Sequence, residues 1–177
     1  SQTSLSRIVA SRVSMSNFYF DASAVVKYFH DEPGSDWVRQ IVDTRDASKT
    51  RRENNVYTGA ASIAEVSAAL AILERTQRVS ANVRDAMFRS FFDSLQNQFC
   101  VLEIPIGLFY KAGELTQKYP LKGYDAIQLA VSLDFNAKLQ EQELSLIFVS
   151  GDAHLLQAAR DEGIPVENPF DHAIQGE

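Results

Sequence analysis

Four acidic residues stand at positions where chemistry is to be expected. Asp21 directly follows the apolar run NFYF, and Glu65 lies shortly after VYTGA. Asp125 follows the Gly123-Tyr124 turn, and Asp152 follows LIFVSG. In an open parallel sheet, ligands bind outside the carboxyl ends of the strands, because loops converge there and helix N-termini point inward. Asp21, Glu65 and Asp152 fall where strands hand over to helices, and Asp125 opens a helix that could face the same crevice. Convergence of the four would create a set of hard oxygen donors with no nitrogen or sulfur ligand nearby, which selects Mg²⁺ or Mn²⁺ over zinc. Carboxylates packed together repel and raise one another's pKa values, and a divalent cation relieves that repulsion. A hydrated cation held this way can polarise a phosphodiester and help deprotonate an attacking water. Acid count leaves one-metal and two-metal arrangements open.

Each acid also has a purely structural use. Asp21 and Asp152 suit helix N-caps, Ser62-x-x-Glu65 fits a capping box, and Asp125 answers a helix dipole. On residue pattern alone, a metal site and a set of caps both stand. Lys27 lies within two helical turns of Asp21, where it either reaches phosphate or sits on the surface. Tyr124, next to Asp125, either stacks on a base or packs. Residues 43–55 form a polar loop carrying Arg45, Lys49, Arg51 and Arg52, which read as phosphate contacts or as a solvated stretch offset by three acids. His30 and His154 lack the partners of a hydrolase triad. Cys100, in an apolar run, reads as a buried small hydrophobe. No G-x-x-x-x-G-K-[ST] or G-x-G-x-x-G run occurs, so a nucleotide-cradling loop has no support.

The elements that must position these residues follow from periodicity. The 177-residue chain is 45% hydrophobic and 23% charged, ordinary values for one globular domain. Its net charge of −6 makes the molecule as a whole no electrostatic magnet for nucleic acid or anionic membrane. One cysteine and three histidines exclude a disulfide framework and argue against structural zinc; they suit a reducing compartment such as the cytoplasm. The longest apolar runs are about six residues, so no membrane span is expected. Ser-rich residues 1–14 read as a tail, disordered or artificially appended, before a natural start at Met15, leaving 15–177 as the domain.

From Met15 onward, apolar runs alternate with helical spacings. Strands are expected at 17–20, 56–60, 100–105 and 144–150, with an edge strand at 165–169. Helices are expected from Ala22 to Phe29, around Trp37–Val42, from Ser62, at 81–97 and 107–118, from Tyr124, and at 152–161. The order predicts α/β architecture: a three-layer α/β/α sandwich with a mostly parallel central sheet.

FYFDASAVVKYFHDEPGS, SIAEVSAALA, YDAIQLAVSL and FVSGDAHLLQAARDEGI, in this order and spacing, resemble the PIN-domain ribonucleases, and most of all the VapC-type toxins of type II toxin–antitoxin pairs. The resemblance spans roughly residues 17–170. It implies a PIN-like sandwich, Mg²⁺-dependent endonucleolytic cleavage of RNA with Mn²⁺ able to substitute, commonly a homodimer, and a small VapB-like antitoxin. It matches Asp21, Glu65 and Asp125 to the family's metal-binding catalytic acids and Asp152 to its variable fourth acid, with Ser23 and Ser150 as supporting hydroxyls. Two other classes compete. A PIN-fold binding module without nuclease activity has no need of four unshielded acids. An aspartyl-phosphate phosphohydrolase normally needs D-x-D-x-T, whereas this chain reads Asp21-Ala22-Ser23.

Overall fold

A computed structural model describes residues 15–173; the expected tail 1–14 and the last four residues of the expected domain lie outside them. The chain runs β1 (Ser16–Phe20), α1 (Ala22–Phe29), α2 (Ser35–Asp43), β2 (Asn54–Gly59), α3 (Ala61–Arg75), α4 (Ala81–Asn97), β3 (Cys100–Leu102), α5 (Ile106–Lys118), α6 (Gly123–Gln140), β4 (Leu146–Val149), α7 (Ala153–Asp161) and β5 (Val166–Glu167). A short 3₁₀ turn, Pro169–His172, follows. It was not anticipated from the sequence. The expected alternation of strands and helices is therefore present, although β3 and β4 are shorter than the apolar runs that contain them.

The five strands form one sheet in the order β3-β2-β1-β4-β5, and every pairing is parallel. All strand carboxyl ends consequently lie along one edge. The order reverses between β1 and β4, and such a switch point opens a crevice because successive connections diverge to opposite faces. β1 is central and buries both faces: Tyr19 packs among Leu129, Phe148 and Leu155, while Phe20 packs among Val25, Val56, Leu70 and Phe91. The first core lies against α5, α6 and α7, the second against α1 to α4, which gives the three-layer sandwich. β4 repeats the alternation, with Leu146 and Phe148 on one side and Val149 on the other. The Tyr19 and Phe148 rings stack at 5.5 Å between centroids across the β1–β4 pairing. No helix among the described residues is long and apolar enough to cross a membrane.

Several local expectations are corrected. The Ser62–Glu65 capping box does not form: α3 begins at Ala61 after Ala60, with no side-chain cap. Ser62 is instead buried and bonded to core polar groups, which a capping serine at the mouth of a helix could not be. Cys100 is exposed, because it is the first residue of a short edge strand. Lys27 is no surface lysine; it is 2% exposed and paired with Glu32 at 2.9 Å.

Candidate functional site

Each acid reaches the carboxyl edge of the sheet by a different connection. Asp21 ends β1 and caps α1, its Oδ1 accepting the Ala24 amide at 2.9 Å. Its own amide donates to the Val149 carbonyl of β4, which draws it into the switch-point crevice. Asp152 caps α7, accepting from the His154 and Leu155 amides at 2.8 and 3.0 Å. Asp125 stands in the first turn of α6, and Glu65 in the second turn of α3. Capping and site membership are thus not alternatives: the same geometry that caps α1 and α7 presents their acids to the crevice.

The Asp21 carboxylate is held from both sides. Ser23 Oγ donates to Oδ1 at 2.7 Å, and Ser150 Oγ donates to Oδ2. Each serine is itself fixed by a backbone amide from the β4–α7 loop, Gly151 N to Ser23 at 2.9 Å and Asp152 N to Ser150 at 3.0 Å. A Cβ at Gly151 would stand 3.0 Å from the Phe170 ring, so a larger residue there would require that ring to shift.

Glu65 is oriented by a buried chain that the sequence reading missed. Tyr19 Oη donates to Gln128 Oε1 at 2.6 Å, and Gln128 Nε2 donates to Glu65 Oε2 at 2.7 Å and to Ser62 Oγ at 2.9 Å. Ser62 lies 2.7 Å from Thr58 Oγ1, whose hydroxyl also meets the Phe20 carbonyl. A carboxylate only accepts, so the amide nitrogen of Gln128 must face Glu65. The available signal was a polar residue on the core face of YDAIQLA, where Gln128 is 2% exposed.

The electrostatics tie the acids together. Burial raises the Asp21 pKa from 3.8 to about 6; hydrogen bonds from Ser150, Ser23 and Ala24 oppose the rise, and the charge on Asp125 adds to it. Glu65 is raised first by burial, with further repulsion from Asp21 and Asp125 beyond the opposing Gln128 bond. Asp125 is raised by burial and then by Asp152, against a lowering influence from Lys122. No Lys, Arg or His among the described residues forms an ion pair with any of the four acids. Among those residues, no three His, Cys, Asp or Glu side chains draw close enough to enclose one ion, so the acids form an open rim. An all-oxygen rim of mutually repelling carboxylates fits a hard divalent cation that keeps part of its water shell.

Other expected contacts divide. Tyr124 is 55% exposed beside Asp125, at the rim. Arg51 and Arg52 precede β2 and therefore lie at the amino edge of the sheet, away from the acids. Arg52 is further committed to the Gln98 carbonyl. Their placement as phosphate contacts beside the acids is thus corrected: the loop feeds the wrong end of its strand.

Comparison with known proteins agrees with this construction. No curated protein sequence matches the chain. Among solved structures, it is similar to a chain of VapBC2 from Rickettsia felis, bound in that crystal to a DNA fragment from their promoter. The two are 11% identical with a TM-score of 0.54, over 86% of this chain and 98% of that one. It is also similar to PAE2754 from Pyrobaculum aerophilum, 18% identical with a TM-score of 0.55, over 90% of this chain and 93% of that one. At these identities the likeness is one of fold. The PIN domain family model matches residues 18–161, from the strand that delivers Asp21 to the end of the helix that Asp152 caps, and the chain belongs to the PIN-domain family.

Proposed function

We propose that the protein is a metal-dependent endoribonuclease, the toxin of a toxin–antitoxin pair. The observation that carries the reading is Asp21: a carboxylate 5% exposed, at the switch point of a parallel sheet, with Asp125 near enough to disturb its ionisation and itself near enough to disturb that of Glu65. Asp21, Glu65, Asp125 and Asp152 would hold Mg²⁺, or Mn²⁺ in its place. The bound cation supplies positive charge to the phosphate and acidity to water. The chain's own contribution is rigidity. Ser23 and Ser150 fix both oxygens of Asp21, and Gln128 fixes Glu65, so the donors are preorganised on elements rather than on mobile loops. Lys122, which lowers the Asp125 pKa, brings a positive charge to the rim, where an RNA backbone would approach.

The same proposal gives the protein partners. Phe88 and Phe92 on α4 are exposed and pack at 4.6 Å between ring centroids with their planes tilted by 44°, and Ile106 and Tyr110 on α5 are more than 70% exposed. These apolar faces support a VapB-like antitoxin and a second copy of the chain as partners. Cys100, an exposed lone thiol, suits the reducing cytoplasm. The resemblance to VapC-type toxins and the fold likeness to VapBC2 support this assignment.

The test is cleavage of a panel of labelled RNAs by purified protein in Mg²⁺, Mn²⁺ or EDTA, beside Asp125→Asn. Cleavage that requires the cation and disappears in the variant is expected. Absence of cleavage together with no calorimetric Mn²⁺ binding would overturn the proposal in favour of a PIN-fold binding module.

A further inference from the structure

Beside the acid rim, Phe170 stands in an unusual setting. It belongs to the 3₁₀ turn after β5 and is 46% exposed, although it is a large apolar side chain. The Lys27 ammonium lies 3.9 Å from the centre of its ring, and its edge rests on Gly151. Lys27 is itself 2% exposed and held by Glu32, so the cation is enclosed behind the ring. With Lys27 covering part of the ring and Gly151 taking an edge, the exposed area lies on the remaining surface. The turn is secured independently: Asn168 caps it, Trp37 stacks on His172 at 4.1 Å, and His172 meets Glu167 at 2.8 Å. A cavity of about 350 Å³ runs along Phe170 past Ser23, Gly151 and Asp152.

A rigid aromatic ring, exposed next to the proposed phosphodiester site, has the form of a stacking platform, since every nucleobase presents a π-face. The enclosed ammonium adds direction. A cation is attracted to the electron-rich face of a ring, and it polarises that ring so that its remaining surface is electron-poor. Electron-poor surfaces stack best on large, electron-rich partners. We propose that Phe170, polarised by Lys27, is a subsite for an unstacked purine base of the RNA substrate. The inference rests on the nuclease reading for its substrate class. It adds that the substrate is single-stranded at this point, because a base inside a duplex has no free face.

The experiment uses full-length protein and twelve-nucleotide RNAs of adenine or uracil carrying a fluorescent 3′ label, in Ca²⁺, with gel electrophoresis verifying that they remain intact. Fluorescence anisotropy should show wild type binding the adenine strand more tightly than the uracil strand. Phe170→Ala should weaken adenine binding about 5- to 150-fold, the range for loss of one stacked base. It should also remove the purine preference, while Phe170→Trp restores both. Circular dichroism and thermal melting monitor the fold, and a melted Phe170→Ala leaves the decision to Phe170→Trp and Phe170→Leu, which both keep a large apolar side chain but differ in aromaticity. Equal binding by the Leu and Trp variants, or no preference in wild type, would overturn the platform. Failure of the nuclease reading would look different: wild type would bind RNA but never cut it in Mg²⁺ or Mn²⁺.

Discussion

Replacing Asp21 with asparagine should make the protein more stable at neutral pH, not less. Asp21 is buried, and its pKa is raised from 3.8 to about 6. Such a displacement corresponds to about 3 kcal/mol held against the ionised form. The folded state binds this proton more tightly than the unfolded state does, so the stability it contributes is complete below the unfolded pKa and is lost as pH rises through about 6. Asparagine removes the ionisation and keeps Oδ1 as acceptor for Ala24 N and Ser23 Oγ. Its NH₂ group, however, now faces Ser150 Oγ, which already accepts from Asp152 N. The Ser150 hydroxyl proton then lacks its acceptor, at a cost of about 1 kcal/mol. The net expectation near pH 7.5 is a gain of about 2 kcal/mol, or roughly 4–8 °C in melting temperature for a chain of this size. Near pH 3.5 the gain should vanish or reverse by about 1 kcal/mol, since wild type is then uncharged at this position too. Urea unfolding followed by far-UV circular dichroism, in EDTA from pH 3.5 to 8, measures the difference directly. Contributions of other titrating groups largely cancel between the two proteins. A difference that stays flat between pH 4 and 7, or a variant less stable than wild type at pH 7.5, would refute the argument that burial and like charge strain this carboxylate.

Four further expectations share the same reasoning. Mg²⁺ or Mn²⁺ should raise the melting temperature of wild type by binding only the folded state, and differential scanning fluorimetry should show a much smaller rise for Asp21→Asn. Gln128→Leu strands the Tyr19 hydroxyl and a Glu65 oxygen, so it should destabilise by about 3 kcal/mol and weaken Mn²⁺ binding by calorimetry, whereas Gln128→Glu should not restore that binding because it places another acceptor against Glu65. Gly34→Ala should cost about 3 kcal/mol or more in urea unfolding, since Gly34 has φ of +89° and a Cβ would stand 2.2 Å from the Pro169 carbonyl oxygen. Mn²⁺ affinity should fall as pH drops below about 6, because the cation must then displace a proton from Asp21, and calorimetric affinities that stay flat from pH 5 to 8 would contradict its role as a ligand.

The sequence made the acids and the sheet legible because both have local signatures. An acid after an apolar run marks a strand end, and alternating periods mark the layers, so Asp21 and Asp152 could be placed before any coordinates. What stayed hidden is what depends on contacts distant in sequence. Gln128 meets Glu65 across 63 positions, and nothing local to YDAIQLA distinguishes a glutamine that holds a carboxylate from one that fills a helix face. Lys27 looked like a surface residue because its two partners, Glu32 and Phe170, arrive by a turn and by the far end of the chain. Arg51 and Arg52 misled for the opposite reason: their charge is visible in sequence, but which edge of the sheet a loop feeds depends on strand direction. The Ser62–Glu65 spacing satisfied a local rule that the buried network overrode, since Ser62 gains a core partner in Gln128.

The strand order has a consequence for synthesis. β1, made first, is flanked by β2 on one side and by β4, which begins at Leu146, on the other. Ser150, which bonds Asp21, is 129 residues further along the chain. A nascent polypeptide lacking β4 therefore carries Asp21 on an unpaired strand edge with half of its supporting groups missing. The crevice can close only once the chain through Ser150 has left the ribosome. A destructive activity built this way would be withheld, by topology alone, from any nascent copy not yet translated past β4.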